Sequence, residues 1–142
     1  MFVVSTADHN VAQAISCNNS SFRAVFVAPY IRDIDLAQAI RKEIPSERPI
    51  VTDYLLGQQD GLRNKRLPRI QLEKWFPEVL FALYPTTYRD SDTPEQLKYF
   101  VSRTIGLARE MGSENTLIVA PRDTINSWLS SPLEGDWVTV NI

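Results

Sequence analysis

The sequence predicts an α/β protein, a three-layer sandwich built on a mostly parallel, Rossmann-like sheet of about five or six strands. Two observations carry that prediction. Short apolar runs recur along the chain: RAVFVA at 23–28, VLFALY at 79–84 and TLIVA at 116–120. They are apolar throughout rather than alternating, as strands are when helices cover both faces of their sheet. Between them lie stretches with apolar residues at helical spacing, so strand and helix alternate. A chain of 142 residues fits a single domain and can bury a core without staples.

The elements follow in order. Phe2–Ser5 reads as a first strand, and Asp8–Ser16 as a helix with Val11, Ala12 and Ile15 on one face. Arg23–Ala28 is the second strand, ended by Pro29. Asp33 is placed to cap a helix over Ile34–Ile44, whose Ile34, Ala37, Ile40 and Ile44 share a side. Pro45 and Pro49 bracket a turn, and Pro49–Leu56 is the third strand. Gly57–Pro68 has no period, and a structureless loop of that length is commonly functional. Ile70–Phe76 reads as a short helix stopped by Pro77, with Val79–Tyr84 a buried fourth strand. The alternative for 70–84 is one helix kinked at Pro77. Thr93-Pro94-Glu95-Gln96 is a capping box that opens a helix with the stripe Leu97, Phe100, Val101, Ile105, Ala108 and Met111, closed by Gly112. Thr116–Ala120 is a fifth strand, Asp123–Leu129 a short helix, and Trp137–Ile142 a last strand, free to lie antiparallel at an edge.

Composition narrows the function classes. Hydrophobic residues at 44% and charged residues at 23% match globular averages and argue against disorder. A net charge of −2 gives no global attraction to nucleic acid or an anionic membrane. No apolar run approaches the roughly 20 residues of a membrane span, and Met1-Phe2-Val3-Val4 does not open a secretory leader. The one cysteine, Cys17, excludes an intrachain disulfide, reads as a packed thiol and fits a cytoplasmic setting. The one histidine, His9, cannot build a histidine-rich metal centre, so no metal is expected, and no motif names a cofactor. P-loop, GxGxxG and GxSxG patterns are absent.

In open α/β sheets ligands bind beyond the carboxyl ends of the strands, so the residues just after each strand are the candidates. These are His9; Tyr30, Arg32 and Asp33; Tyr88 and Arg89; and Arg122 and Asp123. Arg-Asp recurs at 32–33, 89–90 and 122–123, and two of the preceding strands end alike, as FVAP and IVAP. Parallel strands bring such turns to one edge, where helix N-termini and planar guanidinium forks suit a phosphate or carboxylate. The ordinary reading of the same dipeptide is a capping Asp beside a solvated Arg. The expected ligand is a small anionic, nucleotide-like molecule held by Arg32, Arg89 and Arg122. His9, Tyr30 and Tyr88 would supply hydrogen bonds or stacking, and 57–69 would cover it. His9 and Asp33 are the groups to test for turnover, which the residues leave open.

Two other readings fit. The basic cluster Arg63, Lys65, Arg66 and Arg69 suits a nucleic-acid accessory protein, against which the acidic net charge argues. A protein-interaction module, such as an inhibitor, adaptor or assembly subunit, fits the lack of catalytic motifs, and the aromatic residues Trp75, Phe76, Trp128 and Trp137 read mostly as core or dimer contacts. A homodimer through Trp137–Ile142 fits the same reading.

Overall fold

The computed structural model of the chain describes residues 2–4, 22–44, 50–53, 69–83, 94–110, 116–129, 135 and 137–139. Two of the continuous apolar runs make the middle of the sheet. β2 (Ala24–Val27) and β5 (Thr116–Val119) are buried at every position and pair in parallel, from Ala24 opposite Thr116 to Val27 opposite Val119. Around them lie β1 (Phe2–Val4), β3 (Ile50–Asp53), β4 (Leu80–Leu83) and β6 (Trp137–Thr139). The order across the six-stranded sheet is β4-β3-β2-β5-β1-β6. Its neighbours are parallel except at β1–β6, which is antiparallel and places the last strand at an edge as predicted.

Four described helices cover the two faces: α1 (Ile31–Glu43), α2 (Arg69–Trp75), α3 (Pro94–Glu110) and α4 (Arg122–Trp128). Successive side chains of a strand point to opposite faces. Val25, Val27, Ile50, Leu117 and Val119 therefore pack with Ile34, Ala37 and Ile40 of α1 and Leu72 of α2. Ala24, Phe26 and Ile118 pack on the other side with Ile105 of α3 and Ile125 of α4. Each such fully buried aliphatic or aromatic side chain contributes about 1.5–3 kcal/mol relative to exposure. Steps toward the β4 edge use α1 and α2 on one face. The step back from β4 to β5 uses α3 on the other, as right-handed crossovers require.

Several expectations change. α1 starts at Ile31 rather than Ile34: Tyr30 is its extended N-cap, and the Ile34 N–H bonds to the Tyr30 carbonyl at 3.0 Å. Asp33 is thus the third helical residue and caps nothing. The earlier start lets Ile31 pack against the core. The kinked-helix alternative for 70–84 fails, because α2 stops at Trp75 and a turn at Pro77 and Glu78 leads into β4. β4 is an edge strand rather than a strand buried on both faces, with Phe81 at 4% and Leu80 at 48% exposure. α3 begins at Pro94, where the capping box placed it. The expected helix at 8–16, the turn at 45–49, the loop at 57–68, Cys17 and the ends of several strands lie outside the described residues. Among the described residues no helix is long and apolar enough to cross a membrane.

Candidate functional site

The middle of the sheet is where the chain changes direction. From β2 it proceeds to β3 through α1 on one face; from the neighbouring β5 it proceeds to β6 through α4 on the other. Adjacent strands whose connections diverge leave a crevice beyond their carboxyl ends, the usual ligand position of open α/β sheets. Both strands lead into Val-Ala-Pro, at 27–29 and 119–121, and the Ala28 N–H donates to the Val119 carbonyl at 2.9 Å, holding the two ends together. Proline then ends each strand by removing a ladder donor.

On the β2 side the chain passes over the end of the sheet. Tyr30 is buried in the cluster under α3 and α4, whereas the next residue, Ile31, packs on the α1 side. Tyr30 is therefore buried rather than an exposed stacking platform. α1 begins without a side-chain cap. Its first-turn amides lack intrahelical acceptors, and the start of the helix carries partial positive charge. Arg32, the second helical residue, is exposed and has no ion-pair partner among the described residues.

Asp33 lies where the sheet-facing stripe of α1 begins, at helical spacing from the buried Leu36, Ala37 and Ile40. It is 1% exposed, and neither carboxyl oxygen has a hydrogen-bond partner. Burial pushes its carboxyl well above the ordinary value of 3.8, and the Arg32 charge acts in the smaller, opposite sense. Thr52 of β3 is opposite Val27 on the same face, fully buried, with an unpartnered hydroxyl.

On the β5 side α4 starts at once with Arg122, again without a side-chain cap on the preceding Pro121. Arg122 Nη2 donates to the Gly135 carbonyl at 2.8 Å, tying the start of α4 to the segment before β6. Gly135 has φ +79, a conformation that glycine adopts without the Cβ penalty. Part of the Arg122 fork is thus committed within the protein.

The structure brings the Arg32 and Arg122 turns to adjacent strand ends. Both described Arg-Asp pairs lie inside first helical turns, not in loops ahead of them. The side chain of Asp123, and His9, Tyr88, Arg89, Arg63, Lys65 and Arg66, fall outside the described residues. Arg69 opens α2 instead of closing a basic loop, and it pairs with Glu73 one turn on. Exposed pairs of this spacing contribute about 0.3–0.5 kcal/mol. Sequence reading missed Thr52, whose only signal is a hydroxyl at the end of an apolar strand. It also missed a cleft of about 460 Å³ at the opposite edge of the sheet, lined by Gln38, Arg41, Lys42, Ile50, Glu78 and Val79. Arg41 and Lys42 there complement the negative end of α1. Among the described residues no three His, Cys, Asp or Glu side chains gather to hold a metal.

No family model matches the chain. No curated protein sequence matches it. Solved structures do resemble it. The ecdysone phosphate phosphatase from Bombix mori, in complex with tungstate, superposes with a TM-score of 0.61 at 15% identity, over 84% of this chain and 51% of that one. The phosphoglycerate mutase from Plasmodium falciparum gives a TM-score of 0.47 at 16% identity, over 91% of this chain and 71% of that one. The chain spans about half the length of the phosphatase. At this identity the likeness is one of fold: an α/β architecture on a parallel sheet.

Proposed function

We propose that the chain binds a small phosphate-bearing molecule, or a comparable tetrahedral oxyanion, at the start of α1 where β2 and β5 meet. Arg32 carries this reading: an exposed guanidinium with no ion-pair partner among the described residues, in the first turn of an uncapped helix, at the switch point of the sheet. An unpaired fork beside free amides and a positive helix end suits an oxyanion. Arg122 follows the adjacent strand end, with its Nη2 held by the Gly135 carbonyl. The resembling phosphatase is named for a phosphate ester and holds tungstate, a tetrahedral oxyanion, which supports the same ligand class here. The nucleotide-like ligand expected from the sequence is one member of that class. His9 follows β1, which neighbours β5 in parallel, and is the group we assign to acid–base work on a bound ester.

Calorimetric titration with tungstate and inorganic phosphate at low salt tests the binding. Arg32→Ala should weaken it roughly 10- to 100-fold, since charge-assisted hydrogen bonds contribute about 1.5–3 kcal/mol. Equal affinity in the variant would refute the assignment. Hydrolysis of p-nitrophenyl phosphate that disappears in His9→Ala would add turnover to binding.

A protein-interaction surface is the second reading. It is favoured by Ile70 at 82%, Trp75 at 51% and Leu80 at 48% exposure on α2 and β4. Association through that surface should persist in high salt, where oxyanion binding weakens. The predicted homodimer through β6 belongs to this reading, and Val138→Lys should leave the oligomeric state altered if that edge pairs.

A further inference from the structure

A carboxyl group in the core-facing stripe of a helix, beside a cation that it does not pair with, is an unusual arrangement. Sequence neighbours on a helix point about 100° apart, so Asp33 and Arg32 cannot close on each other. Asp33 turns to the sheet and is 1% exposed; Arg32 turns to solvent. Neither Asp33 oxygen has a partner.

Among the described residues the strands and helix packed on α1 present an uncharged face. The apolar cluster on which α1 packs holds Val25 and Val27 of β2, Ile50 of β3, Leu117 and Val119 of β5, and Leu72 of α2, and the uncharged Thr52 of β3 lies opposite Val27. On α1 itself the neighbouring charges are Arg32 and Asp35, both exposed. An ionised carboxylate in such a place loses its hydration and gains no partner, whereas the neutral acid loses much less. The burial that raises the Asp33 carboxyl acts in this direction.

Resting on the oxyanion reading above, we propose that Asp33 is a positioning residue for that site. Held as an uncharged acid under the first turn of α1, it sets no negative charge near an anion bound at Arg32. The site therefore gives up its oxyanion when the acid ionises. The coupling runs both ways. An anion on Arg32 removes the one nearby charge that favours the Asp33 carboxylate, so ligand binding and proton retention support each other.

The test uses sulfate, a dianion across the whole range, so that the ligand's own titration does not intrude. Its affinity is measured by calorimetry on the full chain from pH 5 to 9 at constant low ionic strength, for wild type and Asp33→Asn. The two should bind alike at the acid end. Wild type should then weaken about tenfold or more as Asp33 ionises, and Asp33→Asn should not, since one nearby like charge is of that size. Groups other than Asp33 are common to both proteins and cancel in the comparison. Parallel pH profiles in the two proteins would overturn the role of Asp33 while leaving the oxyanion site standing. Absence of sulfate binding in both at every pH would overturn the site and the role together. A measurement free of substitution guards against a variant that does not fold. Carbon-detected NMR titration of the wild-type Asp33 carboxyl should show its ionisation moving to higher pH with saturating sulfate. An unmoved titration would overturn the coupling.

Discussion

The turns that follow β2 and β5 start from the same letters and end as different devices. Each leaves a buried strand through Val-Ala-Pro and soon meets Arg-Asp. After β2, Tyr30 and Ile31 are interposed and α1 opens at Ile31, so Arg32 is its second residue and Asp33 its third. After β5 nothing is interposed, and α4 opens at Arg122. One position along a helix is a rotation of about 100°. That offset accompanies a split in roles. It turns Arg32 to solvent and Asp33 into the core, while Arg122 reaches sideways to the Gly135 carbonyl. A repeated dipeptide is thus not a repeated structure; its phase against the helix decides what each residue does.

The comparison breaks most readily at Asp33. Its native carboxyl is raised above the unfolded value of 3.8, so the folded state holds the proton more tightly. Stability is then greatest below about pH 3.8 and falls as pH rises through the native value, where the folded state must either ionise or forgo the proton loss that the unfolded chain enjoys. Asp33→Leu removes both this dependence and the unpartnered oxygens, and should stabilise the fold by about 1–3 kcal/mol at neutral pH. Urea melts at pH 4 and pH 8 measure it. Wild type and variant with equal pH dependence would show that the acid is not buried neutral.

The other turn sharpens the contrast with smaller effects. In Gly135→Ala the added Cβ meets nothing within 4 Å, so the change reports backbone conformation alone. Forcing φ +79 on an alanine should cost about 1–2 kcal/mol and raise deuterium exchange in β6. Arg122→Ala should cost about 0.5–1.5 kcal/mol through the lost bond to Gly135. It should also weaken oxyanion binding less than Arg32→Ala does. If the two arginines weigh equally in binding, the distinction drawn between a free and a committed guanidinium is wrong.

Much of the architecture was legible in the sequence. RAVFVA and TLIVA read as doubly covered strands because both of their faces are apolar, and they are the adjacent central strands. The capping box at 93–96 located the start of α3 for a local reason, a proline suited to the first helical position. VLFALY misled for a non-local reason: its run is as apolar as the others, but its place at the end of the sheet leaves Leu80 half exposed. The site was legible as far as the rule of strand ends reaches, which selected Arg32 and Arg122. The fate of Asp33 was not. An aspartate just before Ile34 satisfies every local rule for a cap, and only the earlier start of α1, set by packing of Ile31 on the sheet, turns it inward. Thr52 showed only a hydroxyl at the end of an apolar strand, because its lack of a partner is a property of the assembled face.

The slot that β1 occupies has a consequence for how the chain is made. Phe2 lies beside Leu117 on one flank and Thr139 on the other, so β1 is clasped by two strands that follow it far along the chain. β2 and β3 can pair soon after synthesis, whereas β1 must wait for β5 and β6 to emerge. Closing so long a loop slows folding more than it weakens the folded state. During that wait an apolar segment lies open to chaperones and to aggregation, and clipping the final strands would unseat the first.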